Sequence, residues 1–316
     1  MDVSVIIVNW NTRDILCDCL RSVYEQTKDI SFEVIVVDNA SIDYSVKMIK
    51  EEFLNVIVIE NSENRGFAAA NNQGIAIARG RYVLLLNSDT VVLDGTIAKT
   101  VMFADAHPEA AVIGCRVLNP DRTLQPTCFM FPSVLNMLLL TTYLSKLFPK
   151  SRFFGREQIS WWDRTEVREV DVVTGCFMLV RRIAIEQVGL MDERFFMYGE
   201  ETDWCYRFKK AGWRILFTQG AEIIHIGKAS SNQMKPQMVL QLKASILLFF
   251  RKHRSKFSYI FACFLVSFFF FLRVPYWLTT AVLSKQMKYS YLQTTKTYAI
   301  GAIRALLGWQ ALGFKK

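Results

Sequence analysis

Three groups of polar residues each follow an apolar run. Asn9 closes VSVIIV, Asp38 closes FEVIVV, and Asn87-Ser88-Asp89 closes RYVLLL. Continuous β-branched runs suit strands buried on both faces of a parallel sheet, where ligands gather at the carboxyl ends of the strands. The chemistry on offer there is the binding of a nucleoside diphosphate. Asp38 can accept hydrogen bonds from a nucleoside, and Asp89 can bind a hard divalent cation that bridges diphosphate oxygens. Asn64-Arg65-Gly66 sets a cation at the start of a helix, a pairing suited to phosphate. Farther along, Glu200-Glu201-Thr202-Asp203 gathers three acids beside Gly199 and aromatic neighbours. Such carboxylates can take a proton from a hydroxyl, and they would equally complement the positive end of a helix dipole. Any one of these residues also suits a turn or cap; the argument rests on several falling at strand ends.

The elements that must hold them follow from hydrophobic periodicity. Strands are expected over 3–8, 32–37, 54–59 and 81–86. Ile15, Leu16, Leu20, Val23 and Tyr24 recur at helical spacing between the first two, with Asn11 as the expected cap and Asp14 in the first turn. Helices are also expected over 42–53 and 67–79. Strands alternating with helices through short links argue for right-handed βαβ units, hence an α/β fold with a parallel sheet. From Asp94 the rhythm loosens. The stretch 120–162 reads as the variable part, a candidate acceptor-side lid, with a helix around 134–148 and the pair Trp161-Trp162. Further strands are expected over 170–173, 177–180, 213–217 and 222–226, and helices over 199–211 and 239–250. No Gly-x-x-x-x-Gly-Lys loop is present, and no Gly-x-Gly-x-x-Gly follows the first strand, so ATPases and dinucleotide enzymes lack their central device.

Charge divides the 316 residues unevenly. All 29 Asp and Glu lie at or before Glu222, whereas 14 of the 38 Lys and Arg lie from Lys228 onward. An acid-free basic tail needs a polyanion, either nucleic acid or anionic lipid. Apolar content decides for lipid: FSYIFACFLVSFFFFL at 257–272 carries no charge, follows Arg251, Lys252, Arg254 and Lys256, and precedes Tyr276 and Trp277. The run is shorter than the ~20 apolar residues of a span, but becomes long enough if it continues, kinked, past Arg273 and Pro275 to Leu283. A second apolar stretch, 299–314, suits an interfacial helix. Spanning and surface-lying tails both remain open at this stage. A strand-like run begins at once after Asp2, without a signal peptide, so the catalytic part is expected at the cytoplasmic face of the membrane. Seven scattered cysteines make no zinc pattern and read as reduced, mostly buried thiols.

In order and spacing the motifs resemble the family 2 glycosyltransferases, which share the GT-A fold, and most closely their bacterial rhamnosyltransferase-like branch. The marks are VSVIIVNWN at 3–11, VVDNAS at 36–41, NRGFAAANNQG at 64–74, LLLNSDT at 84–90, VTGCFMLVRR at 173–182, FFMYGEETDWCYRFKKAGW at 195–213 and HIGKAS at 225–230. The resemblance covers about three quarters of the chain and implies a catalytic domain over 1–235; by its charge and apolar content the remainder, 236–316, is expected to be a basic, helical, membrane-associated tail with its apolar segment at 257–283.

It also implies roles. Asn9 and Asp38 contact the base and ribose of a nucleotide-sugar donor, and Asn64, Arg65 and Asn87 lie near it. Asp89 is the metal-binding aspartate of an Asp-x-Asp motif and holds Mg2+ or Mn2+. His225 is a further metal or diphosphate ligand, unless it is a packed histidine ending a strand. Glu201 takes the place of the catalytic base, with Glu200 and Asp203 beside it holding positive groups or the acceptor. Trp204 and Trp213 read first as core residues. Two positions depart from the family pattern: Asn87 stands where the first Asp of the motif would be, and Glu201 stands where Asp is usual. The implied reaction is inverting, metal-dependent transfer of a sugar, with rhamnose from a deoxythymidine-diphosphate donor as the first candidate, to a lipid-linked glycan at the membrane. Cell-surface polysaccharide synthesis follows by analogy, and no nucleic-acid partner is expected. A sugar nucleotidyltransferase and a non-catalytic scaffold with a degenerate fold are the rivals, the latter kept open by Asn87 and Glu201.

Overall fold

A computed structural model describes residues 1–227, 235–284 and 287–312. The end of the HIGKAS run, at 228–230, and residues 313–314 of the second apolar stretch lie outside the described residues. The chain divides into two compact units. One combines Met1–Phe131, Trp162–Phe196 and Glu200–Ser230; the other combines Pro132–Trp161, Met197–Gly199 and Ser231–Lys316.

The first unit opens as β1 (Val3–Asn9), α1 (Arg13–Gln26), β2 (Phe32–Asp38), α2 (Ser45–Glu52), β3 (Val56–Glu60), α3 (Phe67–Ile77) and β4 (Tyr82–Asn87). β1 pairs in parallel with β2 on one side and β4 on the other, and β3 pairs with β2. Register aligns the strand ends: Asn9 faces Asp38, and Val8 faces Asn87. Ile6, Ile7, Val34, Val36, Leu84 and Leu85 are fully buried, which is why these runs are apolar throughout rather than alternating. Each such side chain contributes about 1.5–3 kcal/mol on leaving water. Helix α1 packs its Leu16, Leu20 and Val23 face into the same core. Its N-terminal boundary differs from expectation. Thr12 is the cap residue, and Asn11 sits at φ 53° with its carbonyl Oδ1 accepting from Ile42 N (2.8 Å), so Asn11 ties a loop instead of capping the helix.

Beyond Asp89 the structure holds order that periodicity did not reveal: β5 (Thr90–Val92), α4 (Thr96–Ala106) and β6 (Ala110–Leu118). β6 reads AAVIGCRVL, and its glycine has a packing cause: a Cβ at Gly114 would lie 2.5 Å from Val173 Cγ1. After β7 (Cys128–Phe129), α5 (Val134–Thr141) and α6 (Leu144–Leu147) belong to the second unit. The single helix expected over 134–148 is thus two, broken where Tyr143 adopts φ 62°. The first unit resumes with β8 (Arg168–Glu169), β9 (Val172–Val173), β10 (Phe177–Arg181), α7 (Arg182–Val188), α8 (Glu200–Lys210) and β11 (Arg214–His225). β8 and β9 join different sheets, and the two strands expected over 213–217 and 222–226 are one, with a register irregularity between Thr218 and Glu222.

The main sheet has nine strands in the order β3-β2-β1-β4-β10-β6-β11-β5, with β8 added to β11. β10 runs antiparallel between β4 and β6, β11 is parallel to β6, and β5 is antiparallel to β11. The expected α/β fold, a mostly parallel sheet flanked by helices in the GT-A manner, is present.

The second unit continues with α9 (Lys235–His253), α10 (Lys256–Phe271), α11 (Val274–Leu283), α12 (Lys288–Leu306) and α13 (Trp309–Leu312). The break at Leu272-Arg273, with Pro275 in the first turn of α11, supplies the expected interruption. α10 buries Ala262, Cys263, Leu265, Val266 and Phe270 and exposes Phe257, Phe261, Phe264 and Phe271. α12 lies along it: Ser267 Oγ donates to Ala302 O (2.7 Å), and a Cβ at Gly301 would meet Leu240 and Phe270. Lys256–Leu283 is long and apolar enough to cross a membrane by length and composition. All seven cysteines are buried free thiols.

Candidate active site

The ends of β1 and β2 carry one hydrogen-bonded cluster. Asn9 is wholly buried and Asp38 is 2% exposed. Asn9 Nδ2 donates to Asp38 Oδ1 (2.8 Å) and to Ser41 Oγ (3.1 Å), while Ser41 N donates to Asp38 Oδ2 (2.8 Å). The Thr12 hydroxyl donates to Asn9 Oδ1 (2.7 Å) and lies 3.0 Å from the Ser88 hydroxyl, which links this cluster to the end of β4. The parallel register makes the network possible by setting Asn9 opposite Asp38. Both Asp38 oxygens are already engaged, so only its remaining lone pairs could meet a nucleoside.

A second part forms at the start of α3. Asn64 Oδ1 accepts from Gly66 N (2.9 Å), a local turn that leads the chain into the helix. Gly66 has φ 83°, and a Cβ there would lie 2.3 Å from Phe196 O, so only glycine fits. Phe67 N donates to that same carbonyl (2.8 Å). The helix start expected to cradle phosphate thus has its first N–H committed to protein. Asn72 pins the segment leading to Phe196, donating to Met191 O (2.9 Å) and accepting from Met191 N (3.0 Å). Arg65 is exposed and has no hydrogen-bond or ion-pair partner among the described residues.

The third part lies at the end of β4. Pairing of β5 with β11 sets His225 opposite Thr90. It brings His225 Nε2 to 3.1 Å from Asp89 Oδ1 and 3.2 Å from Asn87 Nδ2. On the other side of the ring, Nδ1 lies 2.6 Å from Gln125 Oε1. A carboxylate oxygen from the turn between β4 and β5 and an imidazole nitrogen from the end of β11 converge as a donor pair suited to a divalent cation. Among the described residues no group of three or more His, Cys, Asp and Glu is gathered for a metal. Asp89 and His225 therefore fit a cation whose remaining positions are filled from outside the protein, as diphosphate oxygens would fill them.

The acids of α8 separate by environment. Asp203 is fully buried and accepts from Arg207 Nε (2.9 Å); Arg207 also donates to Leu190 O (2.7 Å) and Val188 O (3.1 Å). The pair fastens α8 to the loop before it. Glu200 is buried, and its Oε2 has no hydrogen-bond partner among the described residues. Burial first, and the adjacent Glu201 charge second, push the Glu200 carboxyl well above the usual carboxylate range. Glu201 is half-buried at the start of the helix. Trp204 is a core residue, fully buried with its indole N–H donating to Gly189 O (2.8 Å).

The glycosyl transferase family 2 model matches residues 4–189, more than half of the chain. The chain belongs to that family. Among curated relatives of this family 2 chain, an N-acetylglucosaminyl-diphospho-decaprenol L-rhamnosyltransferase of Mycobacterium tuberculosis is 28% identical over 214 residues, 64% of this chain and 69% of the relative. A low-salt glycan biosynthesis hexosyltransferase of Haloferax volcanii is 25% identical over 228 residues, 71% of this chain and 67% of the relative. A mannosyltransferase of Pyrobaculum calidifontis, solved in complex with GDP-Man and Mn2+, superposes with a TM-score of 0.58 at 17% identity, covering 96% of this chain and 86% of that one.

Several site residues were missed in the sequence. Thr12, Ser41 and Ser88 complete the Asn9–Asp38 cluster, and Gln125 holds the ring of His225. Ser41 and Ser88 stand inside motifs already quoted. For Gln125 the available signal was the alternation Asn119, Asp121, Thr123, Gln125 around a Pro-Asp turn, which marks a hairpin with one polar face.

Proposed function

We propose that this family 2 glycosyltransferase moves a sugar, rhamnose first among candidates, from a nucleotide-diphosphate donor to a hydroxyl of a lipid-linked glycan, with inversion at the anomeric carbon, in cell-surface polysaccharide synthesis. The observation that carries the reading is the convergence of Asp89, His225 and Asn87 at the carboxyl end of β4, next to the Asn9–Asp38 cluster. The Mycobacterium tuberculosis relative supports the sugar and the lipid-linked acceptor.

Asp38, oriented by Asn9 and Ser41, receives the nucleoside. The unpaired guanidinium of Arg65 meets the diphosphate. Asp89 and His225 would hold Mg2+ or Mn2+, which supplies Lewis-acid neutralisation of the diphosphate when bound. Glu201 takes the acceptor hydroxyl proton as that oxygen bonds to the anomeric carbon; the bond from that carbon to the phosphate oxygen breaks on the opposite face, and the nucleoside diphosphate leaves with the electron pair. Positioning and charge stabilisation supply most of the acceleration. Asp203 serves this site indirectly by fixing α8, and Glu200 holds a proton beside Glu201.

The second unit is read as a membrane-associated tail that keeps the enzyme beside a lipid acceptor, at the cytoplasmic face of the membrane. It lies on the bilayer rather than spanning it. α10 is exposed along one stripe only, and its partner α12 carries exposed Lys296 and Arg304 within the length packed on α10. Spanning would carry those charges into hydrocarbon at a cost of about 2.5–3.5 kcal/mol each. Lying flat, the stripe Phe257, Phe261, Phe264 and Phe271 enters the acyl boundary while Arg251 and Lys256 meet anionic headgroups. The test of donor and acceptor is release of nucleoside diphosphate from a panel of nucleotide sugars, with and without membrane lipid extract. Lipid-dependent release from one donor supports the reading; release of inorganic diphosphate from a sugar phosphate and nucleoside triphosphate would point to nucleotidyl transfer.

A further inference from the structure

After β6 the chain turns back as a short hairpin in which Leu118 pairs with Leu124. Asn119, Asp121, Thr123 and Gln125, alternate residues of this turn, form a hydrogen-bond chain that ends on His225, and its direction can be read link by link. Asp121 Oδ1 accepts from Thr123 N (3.0 Å) and from the Thr123 hydroxyl (2.6 Å). Those bonds hold the Asp121 carboxyl below its usual range, so at neutral pH it is ionised and can only accept. With its proton spent on Asp121, the Thr123 oxygen accepts from Asn119 Nδ2 (2.9 Å). The other end of that amide, Asn119 Oδ1, accepts from Gln125 Nε2 (2.8 Å), which also donates to the His225 backbone carbonyl (3.2 Å). Turning the Gln125 amide over would set its oxygen against two other acceptors. Gln125 Oε1 therefore faces His225 Nδ1 at 2.6 Å, and Nδ1 must carry the hydrogen.

The consequence falls on the other ring nitrogen. A neutral imidazole protonated at Nδ1 has its lone pair on Nε2, which accepts from Asn87 Nδ2 at 3.2 Å and stands 3.1 Å from Asp89 Oδ1. A lone pair facing a carboxylate oxygen at that distance is an arrangement that a cation relieves.

We propose that Gln125 is a positioning residue: through the chain that starts at Asp121 it holds His225 in the Nδ1–H tautomer and so presents the Nε2 lone pair, beside Asp89, to a divalent cation. This rests on the metal reading above and adds to it the residue that prepares the ligand. Partners that fix the far nitrogen of a metal-bound histidine typically change metal affinity about 10–100-fold when removed.

The chain has three histidines, so the tautomer is accessible to 15N NMR of histidine-labelled full-length protein at mildly alkaline pH, with His225→Asn assigning the signal. Wild type should show His225 protonated at Nδ1. Gln125→Leu should shift it toward the Nε2–H form. Mn2+ affinity, measured by electron paramagnetic resonance with a nucleoside diphosphate present, should fall about 10–100-fold in Gln125→Leu. An Nε2–H His225 in wild type overturns the proposal without any variant, as does an unchanged tautomer in a folded Gln125→Leu. The expected tautomers with no Mn2+ binding by any form would overturn the metal site itself, and with it the purpose given to Gln125.

Discussion

His225 Nε2 stands 3.1 Å from Asp89 Oδ1, held there by the pairing of His225 with Thr90 across β11 and β5. The strand that ends the first unit thereby completes a site begun at the end of β4. If the pair holds the cation, Asp89→Ala should lower nucleoside diphosphate release at least about a hundredfold. His225→Ala should raise the Mn2+ concentration needed for half activity. Metal titrations of initial rate check both, and a His225→Ala curve that overlays wild type would remove His225 from the site.

Glu201 and Asp203 should part company when each is changed. Glu201→Gln should slow turnover by about a hundred- to ten-thousandfold with donor affinity unchanged, because only proton removal is lost. Asp203→Ala should instead cost about 1–3 kcal/mol of stability, because Arg207 Nε loses its buried acceptor while the guanidinium keeps Leu190 O and Val188 O. Turnover at saturating donor and urea unfolding of each variant distinguish the two effects; near-wild-type turnover in Glu201→Gln would remove the base assignment.

Glu200 gives the protein a signed pH dependence. Its carboxyl is raised in the folded chain by burial and then by Glu201, whereas in the unfolded chain it returns to the ordinary value of 4.5. As pH rises above that value the unfolded chain releases the proton first, so the unfolded state binds fewer protons and stability falls until the folded carboxyl ionises. Glu200→Gln should remove this loss, gaining stability relative to wild type as pH rises above 4.5. Because the two carboxyls interact, the change belongs to the Glu200–Glu201 pair. Urea unfolding across that range tests it; parallel stability profiles for the two proteins would contradict it.

Much of the first unit was legible because its residues serve local and global order together. VSVIIV, FEVIVV and RYVLLL form strands buried on both faces, and their register alone brings Asn9 to Asp38. β6 was not legible, since its Gly114 answers to the nearby Val173 rather than to a strand pattern. Asn11 has the right type for a cap but adopts a left-handed conformation and bonds to Ile42, a partner far along the chain. Asp203 could be found in an acidic cluster, but its burial against Arg207 depends on where α8 packs. Gln125 belongs to the same class: its role exists only once β11 has delivered His225.

A tail that lies on the bilayer surface, as proposed, predicts a specific extraction behaviour. Membranes containing the full-length chain should release it on alkaline carbonate washing, and purified protein should float with vesicles containing anionic lipid in a salt-dependent manner. Phe257 is 85% exposed and begins the apolar stripe, so Phe257→Ser with Phe264→Ser should weaken flotation while leaving the fold unchanged. Resistance to carbonate would establish a span instead.

The central claim, sugar transfer from a nucleotide donor at the Asp89–His225 end of the sheet, is tested most directly by one assay. Purified protein with Mn2+ or Mg2+ is incubated with a panel of nucleotide sugars and membrane lipid extract, and release of nucleoside diphosphate is measured beside Asp89→Ala. The account predicts lipid-dependent release from one donor, with deoxythymidine-diphosphate rhamnose first among them, and its loss in the variant. No release from any donor by folded protein, or equal release by Asp89→Ala, would contradict it.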